Sequence, residues 1–103
     1  MSDTRWFAIE TDAERSTLHL AGAWRLQQLA EIEAALAGLV LPATAAVDGS
    51  ALASIDSATA LVLLRALQAA QPAQGRLSWE GFNAANRRIV EQRFDLCEWQ
   101  RRR

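Results

Sequence analysis

A change in the spacing of apolar residues near Arg25 constrains the fold of this chain most strongly. Before that point apolar and polar residues alternate, which predicts half-buried strands at about 6–10 and 17–22. The polar residues between the two segments indicate an antiparallel hairpin. After Arg25, apolar residues recur every three or four positions, which predicts an amphipathic helix of about 14 residues that ends near Gly38.

The same two spacings alternate along the rest of the chain. A short apolar run at 45–48 predicts a central strand covered on both faces, followed by a linker over 51–55. A second helix is predicted at about 58–70, a strand at 76–80 and a last helix at about 84–94. The order β-β-α-β-α-β-α predicts an α/β fold with a four-stranded mixed sheet and three main helices.

Length and composition limit the class of protein. With 103 residues, 50% hydrophobic and 22% charged, the chain is expected to form a single domain over 1–103. Its core is expected at about 5–96, and 97–103 is interpreted as a tail or the start of a linker to a membrane domain. The 12 acidic and 11 basic residues nearly balance, which argues against a general nucleic-acid binder. No apolar run reaches the roughly 18–20 residues of a membrane span and no signal peptide opens the chain, so a cytoplasmic location is expected.

Residues that could support catalysis or metal binding are few. His19 is the single histidine and Cys97 the single cysteine, so we expect no internal disulfide, no zinc cluster and no cofactor. His19 lies on the strand face opposite Leu18 and Leu20, where a surface or hydrogen-bonded histidine is favoured over a general base. Asp56 could act as an acid, but nothing near it in the sequence completes a catalytic site. The chain is therefore predicted not to be an enzyme.

The segment between the predicted third strand and second helix carries most of the information about function. The strand ends in Asp48, Gly49 and Ser50, and the helix opens at Asp56 and Ser57. A side-chain oxygen of Asp56 or Ser57 can cap the helix by accepting a hydrogen bond from an unpaired backbone N–H group. The pair either serves only as this cap or also forms part of a surface that binds a partner, since a helix start also favours an added phosphate.

This segment resembles the signature of STAS domains, the fold of bacterial anti-sigma-factor antagonists, and the element order matches that fold over about 5–96. In the antagonists the helix start reads Asp, two hydroxyl residues and Gly, and the partner kinase phosphorylates the second hydroxyl. In this sequence the four positions hold Asp56, Ser57, Ala58 and Thr59. The usual phosphoacceptor is therefore replaced by Ala58.

A second STAS branch is more similar to this chain, namely the STAS subunits or amino-terminal STAS domains of Mla-type lipid-transport ABC systems. There an Asp-Thr-Ala/Gly-Gly step is common, with Ser57 here in the Thr position, and the runs 20–26 (LAGAWRL) and 47–52 (VDGSAL) resemble that branch. The resemblance implies a regulatory or assembly module at the inner face of the bacterial inner membrane. Its implied partners are the ATPase subunit and the permease, to which the domain is either fused or bound as a separate subunit.

The resemblance also assigns roles to residues. The partner-binding surface, which includes the possible phosphorylation site, is expected at Asp56, Ser57, Ala58 and Thr59. Its supporting loop is expected at Asp48, Gly49 and Ser50. An anti-sigma-factor antagonist regulated by serine phosphorylation is the alternative function, and a STAS domain that binds a small ligand is a third, for which no ligand motif is present.

The sequence also predicts whether several apolar residues lie in the core or at an interface. Trp79 is expected in the core and Trp24 beneath the first helix. Leu61 and Leu64 are also expected in the core. Trp99 stands beside the terminal arginines, where a contact with a partner or a membrane interface is expected.

Overall fold

The computed structural model describes residues 5–12, 15–71 and 76–101, with side chains described as far as residue 92. Its elements follow the predicted order β-β-α-β-α-β-α. They are β1 (Phe7–Thr11), β2 (Ser16–Trp24), a 3₁₀ turn (Leu26–Gln28), α1 (Leu29–Leu36), β3 (Thr44–Ile55), α2 (Ser57–Ala70), β4 (Arg76–Glu80) and α3 (Ala84–Arg101). The predicted α/β fold class is confirmed.

The four strands form one mixed sheet in the order β1-β2-β3-β4. The predicted hairpin is confirmed, because β1 and β2 pair antiparallel with Phe7 opposite Leu20. Strand β3 pairs parallel with both β2 and β4. Parallel neighbours require a crossover, and α1 and α2 supply the crossovers into β3 and β4.

The two faces of the sheet differ in the way that the alternation of residues predicts. Leu18, Leu20 and Val47 are completely buried on one face, where they join apolar residues of all three helices in a single core. Ala45, Ala46 and Val47 are all buried, which confirms that β3 is covered on both sides at this point. Burial of these side chains provides the main favourable free energy of folding.

The buried positions expected for Trp24 and Trp79 are confirmed in part. Trp24 is completely buried, and its indole Nε1 donates to the backbone oxygens of Ala21 at 3.0 Å and Trp6 at 3.2 Å. Trp79 is half-buried at the margin of the core, where its ring lies 5.8 Å from that of Phe82. The expectations for Trp99 and for the terminal arginines concern side chains outside the described residues.

The predicted linker over 51–55 is wrong, because β3 continues to Ile55. The residues of this stretch are mostly small and show no clear alternation, so their spacing does not reveal a strand. The stretch 51–55 is a strand because it pairs with β2, where Gly22 lies opposite Leu52 and Trp24 lies opposite Ile55. The pairing shifts register twice, and at each shift β3 contains one residue more than β2.

Both outer helices differ from their predicted lengths. The first begins with a 3₁₀ turn at Leu26–Gln28, and only Leu29–Leu36 is α-helical. Gly38 lies just beyond its end with φ at 82°, a conformation that favours glycine and explains the stop. Helix α3 continues to Arg101 rather than ending near residue 94. Within the described ranges, none of the helices combines the length and the apolar character needed to cross a bilayer.

Candidate functional site

The start of α2 is organised by a reciprocal pair of hydrogen bonds between Asp56 and Thr59. The Asp56 carboxylate accepts from the backbone nitrogen of Thr59 at 2.9 Å, and the Thr59 hydroxyl accepts from the backbone nitrogen of Asp56 at 3.2 Å. This is a capping box, in which two backbone donors at a helix start are satisfied at once. The structure therefore assigns the cap to Asp56, and Ser57 is the first residue of the helix.

The same carboxylate reaches back to the segment that follows β2. Its second oxygen accepts from the backbone nitrogen of Leu26 at 2.6 Å. Partial burial disfavours ionisation of Asp56, but hydrogen bonds from Thr59, Leu26 and Ala58 outweigh that effect and hold the pKa of Asp56 below its ordinary value. One ionised carboxylate thus joins α2 to the 3₁₀ turn.

Thr59 does not lie on a surface, although it is expected among the partner-binding residues. Its side chain is completely buried, and its hydroxyl donates to the backbone oxygen of Trp24 at 2.7 Å. It therefore supports the site from beneath and cannot itself touch a partner. The spacing of Asp56 and Thr59, an N-cap residue followed three positions later by a hydrogen-bonding side chain, is the signal from which this role could have been predicted.

Three residues around Asp56 do reach the surface. Ser57 is exposed and Ala58 is half-buried in the first turn of α2. Leu26, which the spacing of apolar residues placed on the apolar stripe of the first helix, is instead 58% exposed, although its backbone is bound to Asp56. We call Leu26, Asp56, Ser57 and Ala58 the cap surface.

Leu61 and Leu64 take different positions on α2. Leu64 is buried, as expected. Leu61 is only half-buried, so the expectation that it belongs to the core is wrong. It lies four residues after exposed Ser57 and four before exposed Arg65, which places it on the outward side of the helix.

Asp48, Gly49 and Ser50 lie within β3 and do not form a loop. The Asp48 carboxylate accepts from the backbone nitrogen of Ser50 at 3.0 Å and from its hydroxyl at 2.9 Å. A side chain on Gly49 would overlap the ring of Phe82, and one on Gly81 would overlap Asp48. These residues therefore fix the connection between β4 and α3, and no hydrogen bond between described residues joins them to the cap surface.

His19 is hydrogen-bonded through both ring nitrogens, in agreement with the interpretation of its strand face. Nδ1 lies 2.8 Å from Asp48 Oδ2, and Nε2 lies 3.3 Å from Glu10 Oε1. The hydrogen bond with Asp48 raises the pKa of His19, and the same contact lowers the pKa of Asp48. Among residues that the structure describes, no group of three or more His, Cys, Asp or Glu side chains is arranged to hold a metal ion.

Comparisons with known proteins agree with this architecture. The model of the family described as "Mlab, STAS domain" matches residues 7–93. Among solved structures, the chain is similar to the anti-sigma factor antagonist SpoIIAA in its unphosphorylated form, with a TM-score of 0.51 and 20% identity. That similarity covers 84% of this chain and 78% of the other, and at this identity it concerns the fold alone. No match was found among curated proteins.

Removal of the Asp56 side chain is expected to destabilise the fold. Asp56→Ala leaves the backbone nitrogens of Thr59 and Leu26 without their acceptor, so the free energy of unfolding should fall by about 1–2 kcal/mol. Asp56→Asn, which retains an amide oxygen at the cap, should lose less. Urea unfolding followed by circular dichroism measures both changes, and equal losses for the two variants would contradict the capping role.

The contact between His19 and Asp48 is expected to make stability depend on pH. Because the pKa of folded His19 lies above 6.5, its contribution is complete below 6.5 and is lost as the pH rises through the folded value. Because the pKa of folded Asp48 lies below 3.8, its contribution persists above 3.8 and is lost as the pH falls through the folded value. The ring is 37% exposed, so solvent screening should limit the effect to less than about 1 kcal/mol.

The measurement compares urea unfolding at pH 5.5 and pH 8.5. Between pH 5.5 and pH 8.5, the free energy of unfolding should fall more in the unmodified chain than in His19→Gln, because glutamine does not titrate. If both chains show the same difference between the two pH values, the contact of His19 with Asp48 does not contribute to stability.

Proposed function

Since this chain belongs to the STAS domain family, we propose that it is a non-enzymatic module that binds the ATPase subunit of a bacterial lipid-transport ABC system of the Mla type. The cap surface makes the contact, and binding influences the assembly or the activity of the ATPase. The domain then lies at the inner face of the inner membrane, beside the ATPase and the permease. STAS domains mediate contacts between proteins, and the matched family model is that of an Mlab STAS domain, which supports this partner.

The geometry of the cap surface is the observation that carries the proposal. The carboxylate of Asp56 is occupied by donors from the chain itself, so its role at the surface is to hold the backbone. Ser57 and Leu26 extend into solvent from that fixed backbone. An exposed leucine beside a small polar residue, on backbone that the Asp56 carboxylate holds in place, has the character of a preorganised contact surface.

A bulky charge at the cap surface is expected to prevent binding. Ser57→Arg places a long cation in the first turn of α2, where the side chain is exposed and the fold can accommodate it. Copurification of a tagged Mla-type ATPase with the variant should fall at least about tenfold, as expected when a charge is introduced at the centre of an interface. The matched control is Gln92→Arg, which adds the same side chain at an exposed position on α3.

Leu26 provides a second measurement on the same surface. Leu26→Asp should weaken binding to a similar extent because it removes an exposed apolar contact, whereas Leu26→Met keeps an apolar side chain and should bind like the unmodified chain. Circular dichroism establishes that each variant is folded. Normal copurification of both Ser57→Arg and Leu26→Asp would exclude the cap surface from the contact.

An anti-sigma-factor antagonist remains the second candidate, because the structure leaves one accessible hydroxyl at the start of α2. Ala58 has no hydroxyl and Thr59 is completely buried, whereas Ser57 is exposed. A phosphate on Ser57 would lie at a helix start, where backbone N–H groups favour an anion, although the ionised Asp56 beside it opposes a second negative charge.

Incubation with anti-sigma-factor kinases and ATP distinguishes the two functions. The transporter proposal predicts no stoichiometric phosphate on the chain. Phosphate that is present in the unmodified chain, missing in Ser57→Ala, and accompanied by release of a bound kinase would favour the antagonist instead.

A further inference from the structure

Thr59 is the most deeply buried polar residue that the structure describes. Among the described side chains, only Ser16, Asn86 and Thr59 are both polar and buried, and Thr59 alone is completely so. Its hydroxyl oxygen lies 2.7 Å from the backbone oxygen of Trp24, 2.9 Å from Asp56 Oδ1 and 3.2 Å from the backbone nitrogen of Asp56. One hydroxyl therefore contacts both the end of β2 and the cap of α2.

The groups around this hydroxyl do not need it in order to be hydrogen-bonded. The backbone oxygen of Trp24 also accepts from the backbone nitrogen of Asp56 at 3.0 Å. Asp56 Oδ1 also accepts from the backbone nitrogen of Thr59 at 2.9 Å. Loss of the hydroxyl would leave each of these groups with a partner, which avoids the cost of an unpaired buried polar group. What the hydroxyl adds is a constraint on geometry.

The constraint acts on the direction of the Asp56 carboxylate. Thr59 holds Asp56 Oδ1 through both its backbone nitrogen and its hydroxyl, each at 2.9 Å. With Oδ1 held in this way, Oδ2 lies 2.6 Å from the backbone nitrogen of Leu26. Without the hydroxyl the carboxylate can rotate more freely, because the terminal torsion of an aspartate is intrinsically broad. Leu26, which is 58% exposed, would then lose its fixed position relative to Ser57.

We propose that Thr59 is a positioning residue for the contact with the ATPase, an inference that rests on the proposed function and deepens it. Its hydroxyl fixes the Asp56 carboxylate, and the carboxylate fixes the backbone of Leu26, so that the exposed leucine is held beside Ser57 for the partner. Thr59 does not touch the partner itself, because it is completely buried. Loss of the hydroxyl should therefore weaken binding more than an equal loss of stability elsewhere in the domain does.

Three variants of this residue separate the hydroxyl from the volume of the side chain. Thr59→Ser keeps the hydroxyl, whereas Thr59→Val and Thr59→Ala lack it. Valine nearly preserves the volume of threonine but places a carbon atom against the Trp24 oxygen, and alanine avoids that contact. Circular dichroism and urea unfolding establish that each variant is folded and how stable it is.

Hydrogen exchange on the free domain measures the positioning without the ATPase. The amide of Leu26 donates to Asp56, so its exchange relative to that of Leu67 should become at least about tenfold faster in Thr59→Val and Thr59→Ala. The amide of Leu67, in the later part of α2, serves as the reference because it is remote from the cap surface. In Thr59→Ser the relative exchange of Leu26 should stay within about twofold of normal.

Titration calorimetry with a purified Mla-type ATPase measures the consequence for binding. Binding should be at least about tenfold weaker for Thr59→Val and Thr59→Ala, and within about twofold of normal for Thr59→Ser. The matched control is Leu67→Val, which lowers stability by shortening a fully buried side chain away from the cap surface. This control should bind within about twofold of normal.

The outcomes separate this inference from the proposed function. Normal binding by a folded variant without the hydroxyl would overturn the inference, and the proposed function would stand if Ser57→Arg still prevented binding. Equal weakening in Thr59→Val and Leu67→Val would also overturn it, because binding would then follow stability alone. If the ATPase does not bind the unmodified chain, the proposed function falls and the positioning role falls with it.

Two further results bear on the hydroxyl itself. Normal exchange of the Leu26 amide in both Thr59→Val and Thr59→Ala would show that the hydroxyl does not position this residue, and the inference would be wrong whatever the binding. Failure of both variants to fold would show that the hydroxyl is required for the fold as a whole, which would overturn the inference as well.

Discussion

The carboxylate of Asp56 is the contact on which the arrangement of the site depends, because it joins segments that are far apart in the sequence. One oxygen holds the backbone of Thr59 at the start of α2, and the other holds the backbone of Leu26 in the turn after β2. Thr59 in turn donates to Trp24, at the end of β2. Since the donors belong to the backbone, the exposed side chains of Leu26 and Ser57 keep a defined relative position. A surface ordered in advance loses less conformational entropy when a partner binds.

The surfaces that the rest of the fold presents differ in chemistry. One face of the sheet is covered by the three helices, and the other carries the hydrogen-bonded group of His19, Asp48 and Glu10. On that second face, both ring nitrogens of His19 are hydrogen-bonded to neighbouring carboxylates. The outward side of α2 differs, since it combines apolar and small residues with one cation, Arg65. The side of α2 that faces away from the core therefore differs in chemistry from the hydrogen-bonded face of the sheet.

Much of the fold could be predicted from local patterns. The alternation around Leu18 and Leu20 correctly indicates which side of β2 is buried. The sequence also indicates a helix cap at Asp56 or Ser57, and the structure assigns it to Asp56. The extent of β3 could not be predicted, because 49–54 consists mainly of small residues whose strand conformation results from pairing with β2. The length of α1 was also not predictable, since its first turn is held by Asp56, 30 positions along the chain from Leu26.

The order of the elements, the apolar side of each strand and helix, and the likeness to STAS domains can all be inferred from the amino-acid sequence. They depend on residue type and on spacing between near neighbours, and this information is local. Tertiary structure was needed to show that Thr59 is buried beneath the site and that Leu26 stands exposed beside Asp56. These features arise where distant segments meet, and spacing along one segment does not specify which residue of another segment lies against it.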